Sequence, residues 1–153
     1  MSSLEIKLNQ MGINLPSAPV PAANYLPFVK VGKIVYVSGQ ISVGSNGLIT
    51  GLLGESMTIE EGMIAAKQCA INLLAQVKVA CDGDLDSLER VIKLGGFVNS
   101  TQDFSDQPSV INGASDFFVK VLGENGRHAR TAVGATLPLG VAVEIDGIFQ
   151  IKP

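Results

Sequence analysis

The 153-residue sequence is poor in charged and aromatic residues and has a single histidine. Charged residues make up 16% of it and aromatic residues 5%, and tryptophan is absent. The net charge of −3 and the singly scattered lysines give no basic stripe, so we expect no nucleic-acid partner. The histidine, His128, has no Cys, Asp or Glu partners at metal-ligand spacing, so we expect no metal site.

The sequence also lacks long hydrophobic runs and a cysteine pair suited to a disulfide. No apolar run approaches the roughly 18 residues that a membrane span requires. The N-terminus has no basic segment followed by an apolar one, as a secretory signal would. Cys69 and Cys81 fall in one predicted helix, about 18 Å apart along its axis, which is too far for a disulfide. We therefore expect a cytoplasmic protein without membrane association, whose reduced thiols pack in the core rather than act in catalysis.

Apolar residues, by contrast, make up 46% of the sequence. The length suits one domain, and we predict a single domain over residues 1–153, in which residues 1–20 form an N-terminal extension packed on the rest. The low content of charge indicates that part of the surface is covered, most simply by other copies of the chain. A well-buried monomer is the alternative.

Hydrophobic periodicity predicts the element order β-β-α-β-α-β-β, preceded by a short N-terminal helix. The clearest element is a helix that begins with a capping box at Thr58 and Glu61 and carries one apolar stripe as far as Ala80. The other predicted elements are a helix at 3–12, strands at 28–32 and 33–43, a strand at 90–98, a helix near 104–122 and strands at about 130–137 and 141–151. Both long helices must pack on the sheet, and if they share one face, the opposite, apolar face needs cover.

The stretch GRHARTAVGATLPLG, residues 126–140, places an arginine at the start of a strand that otherwise looks buried. Strand alternation puts Arg130 on one face with the small residues Ala132 and Gly134, and we assign Glu144 and Asp146 of the last strand to the same face. The guanidinium group is a rigid fork that matches a carboxylate, and small neighbours leave room for a ligand. This pattern favours the binding of a small carboxylic acid.

An ion pair between Arg130 and Glu144 or Asp146 is the alternative interpretation. A tight hairpin between the last two strands sets Glu144 opposite roughly Gly134, which leaves Arg130 roughly 13 Å away along the strand. The side chains then converge only if they reach toward each other, or if a ligand or water lies between them. We interpret His128 as part of a surface or an interface rather than as a catalytic group.

Several motifs in a fixed order resemble the reactive intermediate deaminase A family, also called the YjgF family. They are Tyr25 upstream of VSGQI at 37–41, the capped helix, FVNS at 97–100 leading to DF at 103–104, and ARTAV at 129–133 followed by LP at 137–138 and VEI at 143–145. The resemblance covers about residues 20–151. The stretches VINGASD at 110–116 and GRHAR at 126–130 look like a longer subgroup of the family.

The resemblance implies a chorismate-mutase-like α+β fold, with one mixed sheet and two helices packed on one face, and a homotrimer with clefts between its subunits. It also implies hydrolysis of 2-imino acids derived from 2-aminoacrylate or 2-aminocrotonate, namely 2-iminopropanoate and 2-iminobutanoate, to 2-keto acids and ammonia. A protonated imine is already electrophilic, so this reaction requires a well-positioned water and no metal or organic cofactor.

By matching motif positions, the resemblance implies two catalytic residues. Arg130 would hold the substrate carboxylate, and Glu144 would orient the attacking water and accept its proton. Ala132 stands where the family often has a cysteine, whose backbone carbonyl is thought to help hold that water. The loss of the thiol then leaves the working backbone group in place.

The resemblance also implies further residues that contact the substrate. Tyr25, Ser38 and Gly39 match positions that line the cleft. The second long helix of the family supplies an asparagine to the neighbouring cleft. That asparagine aligns here with Ile111 or, after a slip of one residue, with Asn112.

Two other functions remain open from the sequence. One is a non-catalytic module that binds or senses a keto acid or a similar small carboxylate through Arg130. The other is an RNA-cleaving protein, an activity sometimes attached to the family, which the weak basic character and the few aromatic residues disfavour. Turnover of an imino acid distinguishes the enzyme from the binding module.

Overall fold

In the computed structural model, which describes residues 1–21 and 23–153, five strands form one mixed sheet and two more form a separate hairpin. The strands are β1 (Phe28–Val31), β2 (Ile34–Ile41), β3 (Val43–Gly44), β4 (Gly47–Leu48), β5 (Leu88–Asn99), β6 (Ala129–Ala135) and β7 (Val143–Ile151). The main sheet has the order β1-β2-β7-β5-β6. Its β5–β6 pair is parallel and its other pairs are antiparallel, while β3 and β4 form a small separate hairpin.

The helices lie where periodicity and capping predict them, and they are α1 (Ser3–Gln10), α2 (Ile59–Ala80) and α3 (Gln107–Leu122). The predicted capping box starts α2, because the Thr58 hydroxyl accepts from the Glu61 backbone N–H and the Glu61 carboxylate accepts from the Thr58 N–H. α3 begins three residues after the predicted start near Phe104. Pro108 lies in its first turn, where a missing N–H costs no helical hydrogen bond.

The core lies between the sheet and the two long helices, α2 and α3. Buried side chains of the sheet, among them Val35, Leu94 and Phe149, face these helices. Gly113 lets α3 approach α2 closely, since a Cβ added there would overlap the backbone carbonyl of Met63. The expected α+β fold, with one mixed sheet and its long helices on one face, is confirmed, and α1 is an additional short helix.

The last two strands do not form the hairpin expected from the sequence, because β5 lies between them. On β5, Leu94 is paired with Arg130, and Phe97 is paired with Glu144. Leu94 and Phe97 are three residues apart and therefore point to opposite faces. Arg130 thus faces the helices, while Glu144 and Asp146 face away from them. The assignment of Arg130 and the two carboxylates to one face was wrong, since it assumed that strands adjacent in sequence pair directly.

The face of the sheet away from α2 and α3 is open and partly apolar. Its exposed hydrophobic side chains are those of Val29, Val31, Tyr36 and Val133. The bare apolar face that the element order predicted is therefore present, and surfaces of this kind mark interaction sites. Among the described residues, no helix has both the length and the apolar character required to cross a membrane.

Candidate active site

Neutral groups of α3 hold Arg130 at the rim of the sheet. Its Nη1 donates to Asn112 Oδ1 at 2.8 Å and to Ser115 Oγ at 3.1 Å, and its Nη2 donates to the Pro108 carbonyl at 3.3 Å. Because β6 is an edge strand, the half-buried guanidinium group lies at the outer margin between strand and helix. It forms no ion pair with a carboxylate anywhere in the described part of the chain.

The guanidinium group of Arg130 retains free donors. An arginine has five N–H bonds, and the three hydrogen bonds to α3 leave the Nε–H and one Nη2–H without an acceptor among the described residues. One edge of a guanidinium group consists of an Nε–H and an Nη2–H, and two parallel bonds from such an edge match the oxygens of a carboxylate. The group can therefore bind a small carboxylate without giving up its contacts to α3.

The structure separates the two positions that the sequence left open for the family asparagine. Asn112 is exposed beside Arg130. Ile111 is fully buried, and a Cβ added at Gly96 would lie 2.7 Å from its side chain. A fully buried side chain is not available to a ligand at the rim, so of the two positions only Asn112 is placed where the predicted contact could be made. Ala132 lies two residues along β6 on the same side as Arg130, half-buried against the core.

Ser115 is a neighbour of Arg130 that was not predicted from the sequence. It lies three residues after Asn112, so both side chains are on one face of α3 and reach the same guanidinium group. The signal that would have found it is this i, i+3 spacing of two polar residues on a helix that covers the strand of Arg130.

His128 is joined to the same group through Ser115. Its Nδ1 is 2.6 Å from the carbonyl oxygen of Gly126, which can only accept, so Nδ1 carries the proton. Burial lowers the pKa of His128, and the positive charge of Arg130 lowers it further, although the Gly126 carbonyl opposes both. The imidazole is therefore neutral near pH 7, and its Nε2 accepts from the Ser115 hydroxyl at 2.9 Å. The half-buried ring also packs edge-on against Phe118, so within this chain His128 is an internal structural residue.

A second set of predicted residues surrounds Glu144 on the open face. β2 has a bulge at Ser38 and Gly39, where one extra residue is inserted opposite β7. A Cβ added at Gly39 would lie 2.6 Å from Glu144 Oε2, so the carboxylate rests on the glycine. Ser38 Oγ donates to the carbonyl of Leu26 at 2.6 Å and ties the preceding loop to the bulge. Tyr25, in that loop, is 50% exposed.

The pKa of the Glu144 carboxyl group is raised. Burial is the main cause, and the negative charge of Asp146, next on the same face, adds to it. Glu144 forms no ion pair within residues 1–21 and 23–153. A carboxylate in such surroundings holds a proton more readily than an ordinary glutamate, which suits a group that accepts a proton from water.

These residues form two groups that do not meet within one chain. The arginine group consists of Asn112, Ser115, Arg130 and Ala132, and the glutamate group consists of Tyr25, Ser38, Gly39 and Glu144. β5 separates the strands of Arg130 and Glu144 by roughly 10 Å, and the two side chains point to opposite faces. The alternative ion pair of Arg130 with Glu144 or Asp146 is therefore not formed.

The described residues contain neither an ionised cysteine thiol nor a cluster of side chains suited to bind a metal ion. Cys69 and Cys81 are both buried and free. Burial raises the pKa of the Cys69 thiol well above its usual range, so it stays protonated and packs in the core, as expected. No group of three or more His, Cys, Asp or Glu side chains lies close enough together to hold a metal ion in residues 1–21 and 23–153.

A mixed sheet covered on one face by two long helices, with an arginine presented at its edge strand, defines a chorismate-mutase-like α+β protein. Residues 5–143 match the family described as "YjgF/chorismate mutase-like, putative endoribonuclease". The match spans most of the chain, so the chain belongs to this family, as its motifs predicted.

Individual relatives resemble the chain over nearly its whole length. It is 48% identical to Protein TCP17 of Trypanosoma cruzi, over 95% of this chain and 92% of that protein. It is 31% identical to the 2-iminobutanoate/2-iminopropanoate deaminase of Dermatophagoides farinae, over 92% of this chain and 95% of that protein. The crystal structure of Atu1372 from Agrobacterium tumefaciens, a protein of unknown function, has a TM-score of 0.90 and 48% identity, over 97% of this chain and 92% of that one. A deaminase is thus among the relatives.

Proposed function

We propose that this protein is a homotrimeric imine deaminase that hydrolyses 2-iminobutanoate and 2-iminopropanoate to 2-keto acids and ammonia. The observation that carries the proposal is the state of Arg130. Its guanidinium group is fixed by neutral partners, forms no ion pair among the described residues and keeps two N–H donors for a ligand. The 31% identity to a deaminase supports the same reaction.

The substrate carboxylate binds the free edge of Arg130. Two charge-assisted hydrogen bonds in parallel fix both the position and the plane of the carboxylate. Ala132, the next residue on this side of β6, is small and leaves space for the carbon chain of a short imino acid, whereas the space beside Gly134 is taken by the side chains of Ser100 and Gln107. Asn112, exposed beside the guanidinium group, is placed to contact the substrate as well.

Glu144 orients the water and accepts its proton. Water adds to the carbon of the protonated imine while one of its protons passes to the Glu144 carboxylate, which gives a carbinolamine. That proton then returns to the nitrogen, the C–N bond breaks as the hydroxyl oxygen forms the carbonyl, and the nitrogen leaves with the hydroxyl proton as ammonium. Glu144 ends in its initial state, and positioning of the water supplies most of the acceleration.

A second copy of the chain is required to bring the two groups together. Within one chain, Arg130 and Glu144 lie on opposite faces of the sheet, on strands that β5 separates. β6 is an edge strand, so a neighbouring copy can place its own glutamate group beside this edge. The open apolar face offers the surface that such an assembly buries. Three copies in a ring give three equivalent clefts.

The test is turnover of an imino acid generated in the assay. An amino-acid oxidase produces the imine, and a trapping amine reports how much of it survives. We expect the protein to accelerate the loss of the imine and Arg130→Ala to abolish that acceleration. Arg127→Ala is the matched control, since Arg127 is an exposed arginine close in sequence whose side chain pairs with Glu124. It should retain activity.

The outcomes distinguish the deaminase from the other candidate functions. Saturable binding of 2-oxobutanoate without acceleration would support a ligand-binding module in place of an enzyme. Absence of both acceleration and binding would reject the proposed site. RNA cleavage has less support, since the chain has a net charge of −3 and few aromatic residues.

A further inference from the structure

The hydrogen bonds that hold Arg130 continue past Ser115 to the protein backbone. Arg130 Nη1 donates to Ser115 Oγ, the Ser115 hydroxyl donates to His128 Nε2, and His128 Nδ1 donates to the Gly126 carbonyl. The carbonyl oxygen can only accept, so Nδ1 carries a proton, and because the imidazole is neutral its Nε2 is an acceptor for the Ser115 hydroxyl. The neutral imidazole takes the Ser115 proton and leaves the serine oxygen free to accept from Arg130.

The end of this chain of hydrogen bonds is rigid. A Cβ added at Gly126 would overlap the backbone carbonyl of Phe118, so this glycine is seated directly on α3. Arg90 Nη2 donates to the next carbonyl, that of Arg127, at 2.8 Å and ties the segment to β5. The imidazole therefore has a fixed acceptor on one side and a packed aromatic ring beside it.

We propose that Ser115 and His128 are positioning residues that orient Arg130 for the substrate carboxylate. Ser115 accepts one Nη1–H bond of Arg130, Asn112 accepts the other, and the Pro108 carbonyl accepts one from Nη2. The Nε–H and the remaining Nη2–H are then the donors left for a ligand. The inference rests on the proposed function, in which Arg130 binds the carboxylate. Neither residue touches the substrate, because both act through the guanidinium group.

The direction of the hydrogen bonds provides a pair of contrasting substitutions. His128→Gln keeps an acceptor near the position of Nε2, so Ser115 can still donate to it and accept from Arg130. His128→Asn keeps a donor near the position of Nδ1 and loses the acceptor for Ser115. Ser115→Ala removes the link itself. Ser109→Ala removes another hydroxyl from α3 and is the matched control.

We expect the variants to differ in affinity for carboxylates rather than in the chemical step. Isothermal titration with 2-oxobutanoate should show binding weakened roughly fivefold to tenfold in Ser115→Ala and His128→Asn, since an indirect loss costs less than a direct hydrogen bond to a charged group. His128→Gln should retain most of the affinity, and Ser109→Ala all of it. In the imine assay, KM should rise while kcat changes little. Thermal unfolding of each variant shows whether it is folded.

A measurement on Arg130 itself separates this inference from the proposed function. The chain has three arginines, so ¹⁵N spectra should show three Nε–H signals, and Arg130→Lys identifies the one of interest. The Nη signals correlated with this Nε–H should be sharp in the wild type and in His128→Gln, because hydrogen bonds hold both Nη groups, and the Nη1 signal should be broadened by rotation and solvent exchange in Ser115→Ala and His128→Asn. Unchanged signals and unchanged affinities in those two variants would overturn the positioning role. A wild type that neither hydrolyses imines nor binds 2-oxobutanoate, yet shows the expected spectra, would overturn the proposed function instead.

Discussion

The carboxylate of Glu144 rests directly on Gly39: a Cβ added to this glycine would lie 2.6 Å from Glu144 Oε2. The bulge in β2 brings the glycine to this point, opposite the middle of β7. The backbone of Gly39 is not in the left-handed region, so the space for the carboxylate, and not the conformation, is what requires glycine here. The bulge therefore sets the position of Glu144.

Gly39→Ala should reduce kcat by about tenfold while the protein remains folded. The new methyl group meets only the flexible end of a side chain, so the carboxylate moves aside and the water it orients moves with it. The measurement is the imine assay together with thermal unfolding. Gly44→Ala is the matched control, since its Cβ would lie 3.0 Å from Gln68 Oε1, also the end of a flexible side chain. Equal kcat values for the two variants would contradict the role of Gly39.

Glu144→Gln should lower kcat by about two orders of magnitude, as the loss of a proton acceptor does, without loss of stability. Burial raises the pKa of this carboxyl group in the folded state, so the folded protein binds the proton more tightly than the unfolded chain does. Its contribution to stability is therefore full at low pH and is lost as the pH rises through the folded pKa. The neutral amide in Glu144→Gln does not ionise, so the variant keeps its stability as the pH rises. At pH 7 the free energy of unfolding of Glu144→Gln, measured by denaturant titration, should equal or exceed that of the wild type.

The value of kcat/KM should fall at low pH, as Glu144 becomes protonated. The midpoint of this fall should lie at a higher pH than is usual for a glutamate, because the pKa of Glu144 is raised. The charge of Asp146 contributes to the raised pKa, so Asp146→Asn should shift this acid limb to lower pH. The acid limb should move along the pH axis while the plateau value of kcat/KM stays similar, because Glu144 itself is retained. An acid limb that stays in place would show that the rate does not follow the ionisation of Glu144.

The elements of the fold were predictable from local patterns. The capping box at Thr58 and the apolar stripe that follows it indicated α2, and both depend only on residues close in sequence. The pairing of strands depends on contacts across the whole chain. β5 inserts between β6 and β7 because the segment from α3 to β6 crosses over to make a parallel pair, and no turn signal between Leu137 and Val141 reports this.

The sequence named candidate site residues but did not predict how they are arranged in space. The resemblance indicated Arg130 and Glu144, but their faces depend on strand order, so the expectation that they share a face failed. The family asparagine aligned with Ile111, or with Asn112 after a slip of one residue, and burial is what distinguishes the two positions in the structure. Ser115 was missed because its role depends on a guanidinium group that approaches from another element.

Mixing two inactive variants should restore activity if the cleft is shared between subunits. In the proposed trimer, one chain supplies Arg130 and its neighbour supplies Glu144. A site between an Arg130→Ala chain and a Glu144→Gln chain can then carry both wild-type residues. Equal amounts, unfolded and refolded together, should recover about a quarter of the wild-type activity, since one of four pairings across each interface is intact.

The control mixture combines Arg130→Ala with the double variant Arg130→Ala and Glu144→Gln. It has no intact pairing in any arrangement of subunits, so any activity it shows reports contamination. Sedimentation of the refolded mixtures confirms that each sample has assembled to the same extent. If assembled mixtures of the single variants stay as inactive as their components, then Arg130 and Glu144 do not meet across an interface. Since the two residues lie on opposite faces of the sheet within one chain, they would then not meet anywhere, and the proposed mechanism would be wrong.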